Sequence, residues 1–130
     1  MKISLMAFLA LSSCGSVHIS VSNETQHDVD KDTIIEMAYR ILPTADSDLK
    51  IRLLPENSDE LTGINGEFHH GGVKAEEIRV VYGGCISTSA LAHEFIHWRC
   101  LHLYGDSDTT HVMIDWALRD VLNTEFADCE

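Results

Sequence analysis

Two histidines and a glutamate with the spacing of a zinc site occur in the run His93-Glu94-Phe95-Ile96-His97. Residues four apart on a helix are separated by about 40° around the axis and about 6 Å along it, so His93 and His97 project together. Two imidazoles placed this way can bind one tetrahedral zinc ion. Glu94 lies beside them and can take a proton from a zinc-bound water as that water attacks a carbonyl carbon. The spacing therefore predicts two metal ligands and a catalytic base within one helical turn.

A third protein ligand must come from a residue that can reach back along this helix. The helix is predicted to run about 12 Å past His97 before Gly105 ends it. Six residues, as far as His111, span about 20 Å when extended, which is ample for the return. Because His111 combines this reach with an imidazole, it is the predicted third ligand. Asp115 and then Asp108 remain alternatives.

Other polar residues near the motif have two interpretations each. Asp106 and Asp108 either orient a ligand imidazole or belong to a solvated loop in which they cap a helix. His102 is expected to face away from the metal, and Cys100 lies too far along the helix axis to share one ion with both histidines. The pair His69-His70 is predicted to form an exposed turn rather than to line the cleft.

The elements that must position these residues follow from the hydrophobic pattern. The pattern predicts a helix from about Asp32 to Leu42, strands at Leu49–Leu54, Gly66–His70 and Glu77–Tyr82, the metal helix from a Ser87 cap to Tyr104, and a last helix over Val112–Leu122. This order indicates an α+β fold. A small mixed or antiparallel sheet is expected to pack on the metal helix, with a further helix at the C-terminus.

The N-terminal segment has the pattern of an exported protein. Residues 1–13 are predicted to be a signal peptide, because Met1-Lys2 precedes an apolar run. The sequence Leu11-Ser12-Ser13-Cys14 resembles a bacterial lipobox, which implies a lipid on Cys14 and anchoring to a membrane of the bacterial cell envelope. The alternative is a conventional secretory signal in which Cys14 is incidental. Residues 14–30 are polar and are predicted to be a tether, with the folded domain over residues 31–130.

Export favours a disulfide among the remaining cysteines. Cys85, Cys100 and Cys129 permit one bridge and leave one free thiol. A bridge between Cys85 and Cys129 would close a loop of about 44 residues and stabilise the fold by about 4 kcal/mol in the chain-entropy model. We predict this pairing, with Cys100 as the buried free thiol.

The composition of the chain argues against a nucleic-acid partner. The chain has 130 residues and a net charge of −12, with 21 acidic residues against nine Lys and Arg. Nucleic-acid binding needs clustered cations to replace counterions, so this balance argues against it. The length allows one small domain, and we expect a monomer.

The motif, with strands before it and a helix after it, resembles the zincin metallopeptidases in a minimal version. The segment from Gly105 to His111, followed by Trp116 and Cys129, also resembles small bacterial lipoproteins of metallopeptidase type. The resemblance covers roughly residues 49–129. It implies a Zn²⁺ cofactor, a peptide or protein substrate, and Glu94 as the base.

The resemblance also implies roles for two further segments. As in zincins, the strand Ile78 to Tyr82 is expected to be the edge strand that pairs with an extended substrate. Tyr104 either stabilises the oxyanion or packs. The chain departs from the metzincin pattern, since Cys100 and Leu103 stand where that pattern has Gly and His. Subfamily assignment is therefore left open.

These features predict a zinc-dependent metallopeptidase-like hydrolase. A hypothesis from another class is a non-catalytic, zinc-stabilised envelope lipoprotein that acts in binding or structure. A third is zinc-dependent hydrolysis of a non-peptide amide or ester, which would differ only in the cleft.

Overall fold

The computed structural model describes residues 18–43, 48–71, 75–112 and 115–129. Within these ranges the chain forms four strands and three helices. The α+β class is as predicted, but the sequence pattern predicted only the last three strands. In chain order the seven elements are β1 (His18–Asn23), α1 (Lys31–Ile41), β2 (Asp48–Leu54), β3 (Gly66–Gly71), β4 (Ala75–Val81), α2 (Leu91–Tyr104) and α3 (Trp116–Glu125).

The strands form one mixed sheet in the order β1-β2-β4-β3. Strands β1, β2 and β4 are parallel, whereas β3 runs antiparallel to β4 and lies at the edge. Parallel neighbours need a crossover connection, which α1 supplies between β1 and β2. The chain passes from β2 to the edge strand β3 before it enters the sheet again as β4.

The core lies between the sheet and the helices. Buried side chains recur at helical spacing in α1 and on alternate residues of β2, so each of these elements turns one apolar face inward, whereas α2 buries side chains on all sides over Leu91 to Cys100. The largest completely buried ones include Ile34 and Met37 of α1, Ile51 and Leu53 of β2, Ile78 of β4, and Leu91, Phe95 and Trp98 of α2. The helix that carries the histidine motif is therefore largely enclosed by the rest of the fold, and its buried residues include Glu94 and His97.

The predicted tether is wrong from His18 onward. Strand β1 pairs with β2 over its whole length, with Val21 opposite Ile51, and Asp30 caps α1. Because an edge strand needs few inward apolar residues, Ile19 and Val21 suffice among polar neighbours. The predicted signal peptide, the lipidation site Cys14 and the first residues of the tether lie outside the described residues.

Helix α2 begins at Leu91, four residues later than the predicted cap at Ser87. The backbone N–H of Ser87 donates to the Asp128 carboxylate near the C-terminus, and Ser89 Oγ accepts from the N–H of Leu91. A distant partner therefore holds Ser87 outside the helix. The C-terminal end is as predicted, since Gly105 adopts a left-handed conformation with φ 74°.

Helix α3 also begins later than predicted, at Trp116 rather than Val112. Asp115 caps it by accepting from the N–H of Leu118. The N–H of Val112 instead donates to the Asp108 carboxylate. None of the described helices combines the length and the apolar character needed to cross a membrane.

Candidate metal centre

Three histidine side chains converge in the structure. The Nε2 atoms of His93 and His97 are 3.1 Å apart, and those of His93 and His111 are 3.2 Å apart. Ligand atoms around a tetrahedral zinc ion, each about 2.05 Å from it, would lie about 3.3 Å from one another. The separations therefore fit one zinc ion, and the structure brings together the three residues predicted as ligands.

A tight loop delivers His111 to the two histidines of α2. Asp106 Oδ1 accepts from the N–H of Asp108, and the carbonyl of Asp108 accepts from the N–H of His111. Asp108 and His111 both have left-handed backbones, with φ 63° and 61°. This conformation is uncommon for residues other than glycine and is often found at functional sites, where surrounding contacts maintain it.

The alternative third ligands have other roles in the structure. The carboxylate of Asp115 caps α3, and that of Asp108 accepts from the N–H of Val112. Asp108 is only 3% exposed, so it does not belong to a solvated loop. Neither aspartate is in the His93, His97 and His111 group. The geometry thus favours His111 over both.

A backbone carbonyl orients the most buried of the three imidazoles. His97 Nδ1 lies 2.6 Å from the carbonyl oxygen of Ser107. A neutral imidazole that donates from Nδ1 carries its lone pair on Nε2, the atom that faces the other histidines. The loop after α2 therefore orients one ligand and supplies another.

The environments of His93 and His97 favour the neutral imidazole, which is the form that binds a metal. The pKa of His93 is lowered to about 4, mainly by burial and also by the nearby His97, His111 and Arg119. Burial also lowers the pKa of His97, although its hydrogen bond to Ser107 acts in the opposite direction.

Glu94 lies beside the histidines in a cavity that a glycine leaves open. The carboxylate residue is 5% exposed. A Cβ at Gly66 would lie 2.8 Å from Ala90 Cβ and 3.0 Å from Glu94 Oε2, closer than such contacts normally come. Because Gly66 has no side chain, strand β3 can pass over Glu94 at this distance.

The pKa of Glu94 is raised to about 7. Burial is the main cause, and the charge of Glu67 adds to it, whereas the backbone N–H of Phe68 opposes it by donating to the carboxylate. A general base works best when its pKa lies near the working pH. Burial and a backbone donor thus place Glu94 in the range suited to proton transfer.

The edge strands of the sheet are β1 and β3, of which β3 passes Glu94, and the prediction that the strand Ile78 to Tyr82 lies at the edge is wrong. Strand β4 pairs with β2 on one side and with β3 on the other. The N–H of Val81 donates to the carbonyl oxygen of Asn65. In an antiparallel pair only every second residue bonds to the partner strand, so the backbone groups of Gly66, Phe68 and His70 point away from β4. The sequence pattern did not show this strand order, because the pairing of β4 with β2 joins segments that are far apart in the chain.

A cleft of about 760 Å³ opens beside His93 and Glu94. Its walls come from the residues before β3, the turn before α2 and one face of α3. They include Asn65 and Gly66, the segment from Ser87 to Ala90, and Arg119, Asp120 and Asn123. The metal-binding group therefore lies at a cavity large enough for part of a peptide.

One aromatic and one cationic residue of α3, Trp116 and Arg119, also lie in this region. Sequence patterns did not indicate either of them as a site residue. The Trp116 ring lies 5.3 Å from the His93 ring and 6.0 Å from the His111 ring, nearly parallel to the latter. The guanidinium carbon of Arg119 lies 4.7 Å from the centre of the Trp116 ring. Because Trp116 and Arg119 are three residues apart on a helix, their contact could be predicted from the sequence, but their position beside the metal centre could not.

The remaining candidates lie elsewhere. Tyr104 is 61% exposed and does not line the cleft, so the structure does not bring it to the position of an oxyanion donor. His69 and His70 are exposed, as predicted. His102 hydrogen-bonds to the carboxylate of Glu76 on β4, away from the metal face.

The predicted disulfide is present. Cys85 and Cys129 are bonded, with Cα atoms 5.9 Å apart, and Cys100 is the buried free cysteine among the described residues. Next to the bridge, the Asp128 carboxylate accepts from the backbone N–H groups of Ile86 and Ser87. The C-terminus is thereby fixed to the turn that precedes α2.

Replacing both Cys85 and Cys129 by Ser is expected to lower the free energy of unfolding by about 4 kcal/mol, because the unfolded chain is no longer constrained by the loop. Urea unfolding of the oxidised wild type and the double variant measures this difference. A reductant should lower the unfolding midpoint of the wild type and leave that of the variant unchanged. A wild-type midpoint that is insensitive to reductant would contradict a stabilising bridge.

The chain matches no protein-family model, and the searches of curated proteins and of solved structures likewise found no match.

Proposed function

We propose that this protein is a zinc-dependent metallopeptidase-like hydrolase of zincin type. The observation that carries the proposal is the convergence of three imidazole Nε2 atoms beside a buried carboxylate, at the wall of an open cleft. His93, His97 and His111 would hold the ion, and Glu94 would act as the base. The three-histidine donor set and its separations are those that zinc prefers.

Glu94 would serve the reaction twice. A zinc ion at this site would lower the pKa of a bound water to about 7 and polarise the substrate carbonyl. The Glu94 carboxylate would accept a proton from the water while the oxygen of that water attacks the carbonyl carbon. Glu94 then returns the proton to the amide nitrogen as the C–N bond breaks, which gives a carboxylic acid and an amine.

The ligand count favours catalysis over a purely structural ion. Structural zinc sites are normally closed by four protein ligands, whereas catalytic sites have three and leave one position for water or substrate. Among the residues that the structure describes, the histidine group has three members, and His93 also lines the cleft. A buried Glu94 at the same wall also supplies the base that a hydrolytic site needs.

The outward-facing backbone of β3 supports a peptide as substrate. An extended peptide could add as a further strand through the backbone groups of Gly66 and His70, whereas the N–H of Phe68 between them already donates to Glu94. In this arrangement the main chain gives affinity, and the cleft selects side chains. The class of substrate thus follows from an unpaired strand edge adjacent to the proposed base.

Export and a lipid anchor on Cys14 form part of the proposal. The disulfide between Cys85 and Cys129 supports an oxidising compartment. The proposed location is the bacterial cell envelope, on its periplasmic or surface side.

Hydrolysis is tested with the zinc-loaded protein and a mixture of peptides, in which mass spectrometry detects new termini. We expect cleavage that stops on chelation of the metal and returns when zinc is restored. The zinc-free protein in the same peptide mixture is the control for contaminating proteases. Tight zinc binding without any new termini would favour the non-catalytic, zinc-stabilised lipoprotein instead.

A further inference from the structure

Arg119 lies on the wall of the cleft that Glu94 and His93 also line. Its guanidinium carbon is 4.7 Å from the centre of the Trp116 ring, which in turn lies 5.3 Å from the His93 ring. The guanidinium is therefore at most about 10 Å from the His93 ring. An extended peptide spans about 3.3–3.6 Å per residue, so this distance corresponds to one to three residues of substrate.

Trp116 restricts the motion of the guanidinium. A cation over an aromatic face is attracted by the ring, and the planar guanidinium stacks with its N–H groups directed outward in its own plane. Because Trp116 also contacts His93 and His111, the stack fixes Arg119 relative to the metal-binding group. An arginine placed in this way is suited to bidentate binding of a carboxylate.

The charge surroundings of Arg119 differ from those of other described arginines. Arg52 donates to two carboxylates, Glu24 and Glu60, far apart from it in sequence. Arg119 donates from Nε and Nη2 to Asp120, its neighbour in the chain, whose side chain is 67% exposed. An exposed ion pair of this kind contributes little to stability and is easily exchanged for another carboxylate.

The rest of the cleft would repel an anion. Glu56, Glu94 and Asp120 line it, and the whole chain has a net charge of −12. Among the described residues that line the cleft, Arg119 is the one lysine or arginine. Apart from the metal-binding group, Arg119 is therefore the side chain of the described wall beside which a negatively charged group would bind favourably.

We propose that Arg119 determines substrate specificity by binding a carboxylate of the peptide, one to three residues from the bond that is cleaved. This inference rests on the proposed peptidase function. The carboxylate is either a free C-terminus or an acidic side chain, since both present the same chemistry to the guanidinium.

Three peptide hydroxamates of equal length separate these sources, because each anchors to the zinc ion through the same group. One ends in a free carboxylate, one in a carboxamide, and one in a carboxamide with Glu as its last residue. Calorimetry with the zinc-loaded protein measures their affinities without requiring turnover. We expect a carboxylate-bearing probe to bind the wild type about tenfold more tightly than the neutral probe.

The variant Arg119→Gln should lose this tenfold preference and keep its affinity for the neutral probe, which also shows that it is folded. Arg99→Gln is the matched control and should behave as wild type, because Arg99 lines a different cavity, beside Ile41 and Leu118. Asp120→Asn should bind carboxylate probes more tightly by a few-fold, because the competing carboxylate is removed. This gain of affinity is not expected if Arg119 only packs on Trp116.

Different results overturn different claims. Equal binding of all three probes by the wild type, or a preference that persists in Arg119→Gln, would refute the role of Arg119 while leaving the hydrolase proposal in place. Failure of the wild type to take up zinc, or to bind even the neutral hydroxamate, would refute both.

Discussion

Replacing Glu94 by Gln is expected to leave zinc bound and to reduce kcat by about 10²–10⁴-fold. Gln has nearly the same size and shape as Glu, so the cavity beneath Gly66 stays filled and the histidines stay in place. The amide cannot accept a proton from water at neutral pH, so only the proton transfer is lost. Zinc content by elemental analysis and turnover of a cleaved peptide measure the two effects separately.

The matched control for this variant is Glu36→Gln, which makes the same chemical change on an exposed position of α1. It should alter neither zinc content nor kcat. Turnover of Glu94→Gln at the wild-type rate would rule out Glu94 as the base. Loss of zinc in that variant would instead show that Glu94 supports the metal centre itself.

Replacing His97 by Ala is expected to weaken zinc binding by more than about 100-fold, since even residues that merely support metal ligands change affinity by 10–100-fold. The substitution removes a ligand and also the hydrogen bond to Ser107 that fixes the loop carrying His111. Competition with a chromophoric chelator measures the affinity.

A thermal melt provides an independent measurement of the same change. Zinc at 100 times its Kd should stabilise the folded wild type by about 2.7 kcal/mol and raise its Tm accordingly. His97→Ala should show no such rise at the same zinc concentration. His69→Ala, a change at an exposed histidine outside the metal-binding group, should retain the full effect.

His111→Ala tests the third ligand by the same two measurements. We expect it to lose zinc as His97→Ala does, because the separation of its Nε2 from that of His93 fits a shared ion. Retention of tight zinc in His111→Ala, together with its loss in His97→Ala, would make Asp115 or Asp108 the third ligand.

Elements with strong local patterns were predictable from the sequence. The alternation in β2 and the apolar spacing of α1 gave their positions to within a residue or two, because burial of one face dictates the period. The left-handed Gly105 at the end of α2 was likewise predictable, since glycine adopts that conformation without steric cost.

The errors in the prediction share one physical cause, which is that distant residues decided the outcome. Residues 18–23 have a weak pattern and form β1 because the edge of β2 is available to pair with them. Ser87 lies outside α2 because Asp128, near the end of the chain, binds its backbone N–H. Strand β4 lies inside the sheet because β2, far from it in the chain, pairs with the side that β3 leaves open.

The local geometry of the motif from His93 to His97 follows from the sequence itself. The four-residue spacing of His93 and His97 brings their imidazoles together on any α-helix, and Glu94 necessarily lies next to them. The reach of the chain past Gly105, together with the imidazole of His111, favoured that residue over Asp115 and Asp108 as the third ligand. The pairing of Cys85 with Cys129 was predicted on similar grounds and is present in the structure.

Only the tertiary structure decided the environment of these residues. The burial that raises the pKa of Glu94 requires β3 to cross α2 at Gly66, and the orientation of His97 requires the carbonyl of Ser107. The position of Arg119 at the cleft depends on how α3 packs against α2. Spacing along one helix follows from local geometry, whereas burial, strand order and the approach of separate elements depend on contacts between residues far apart in the chain.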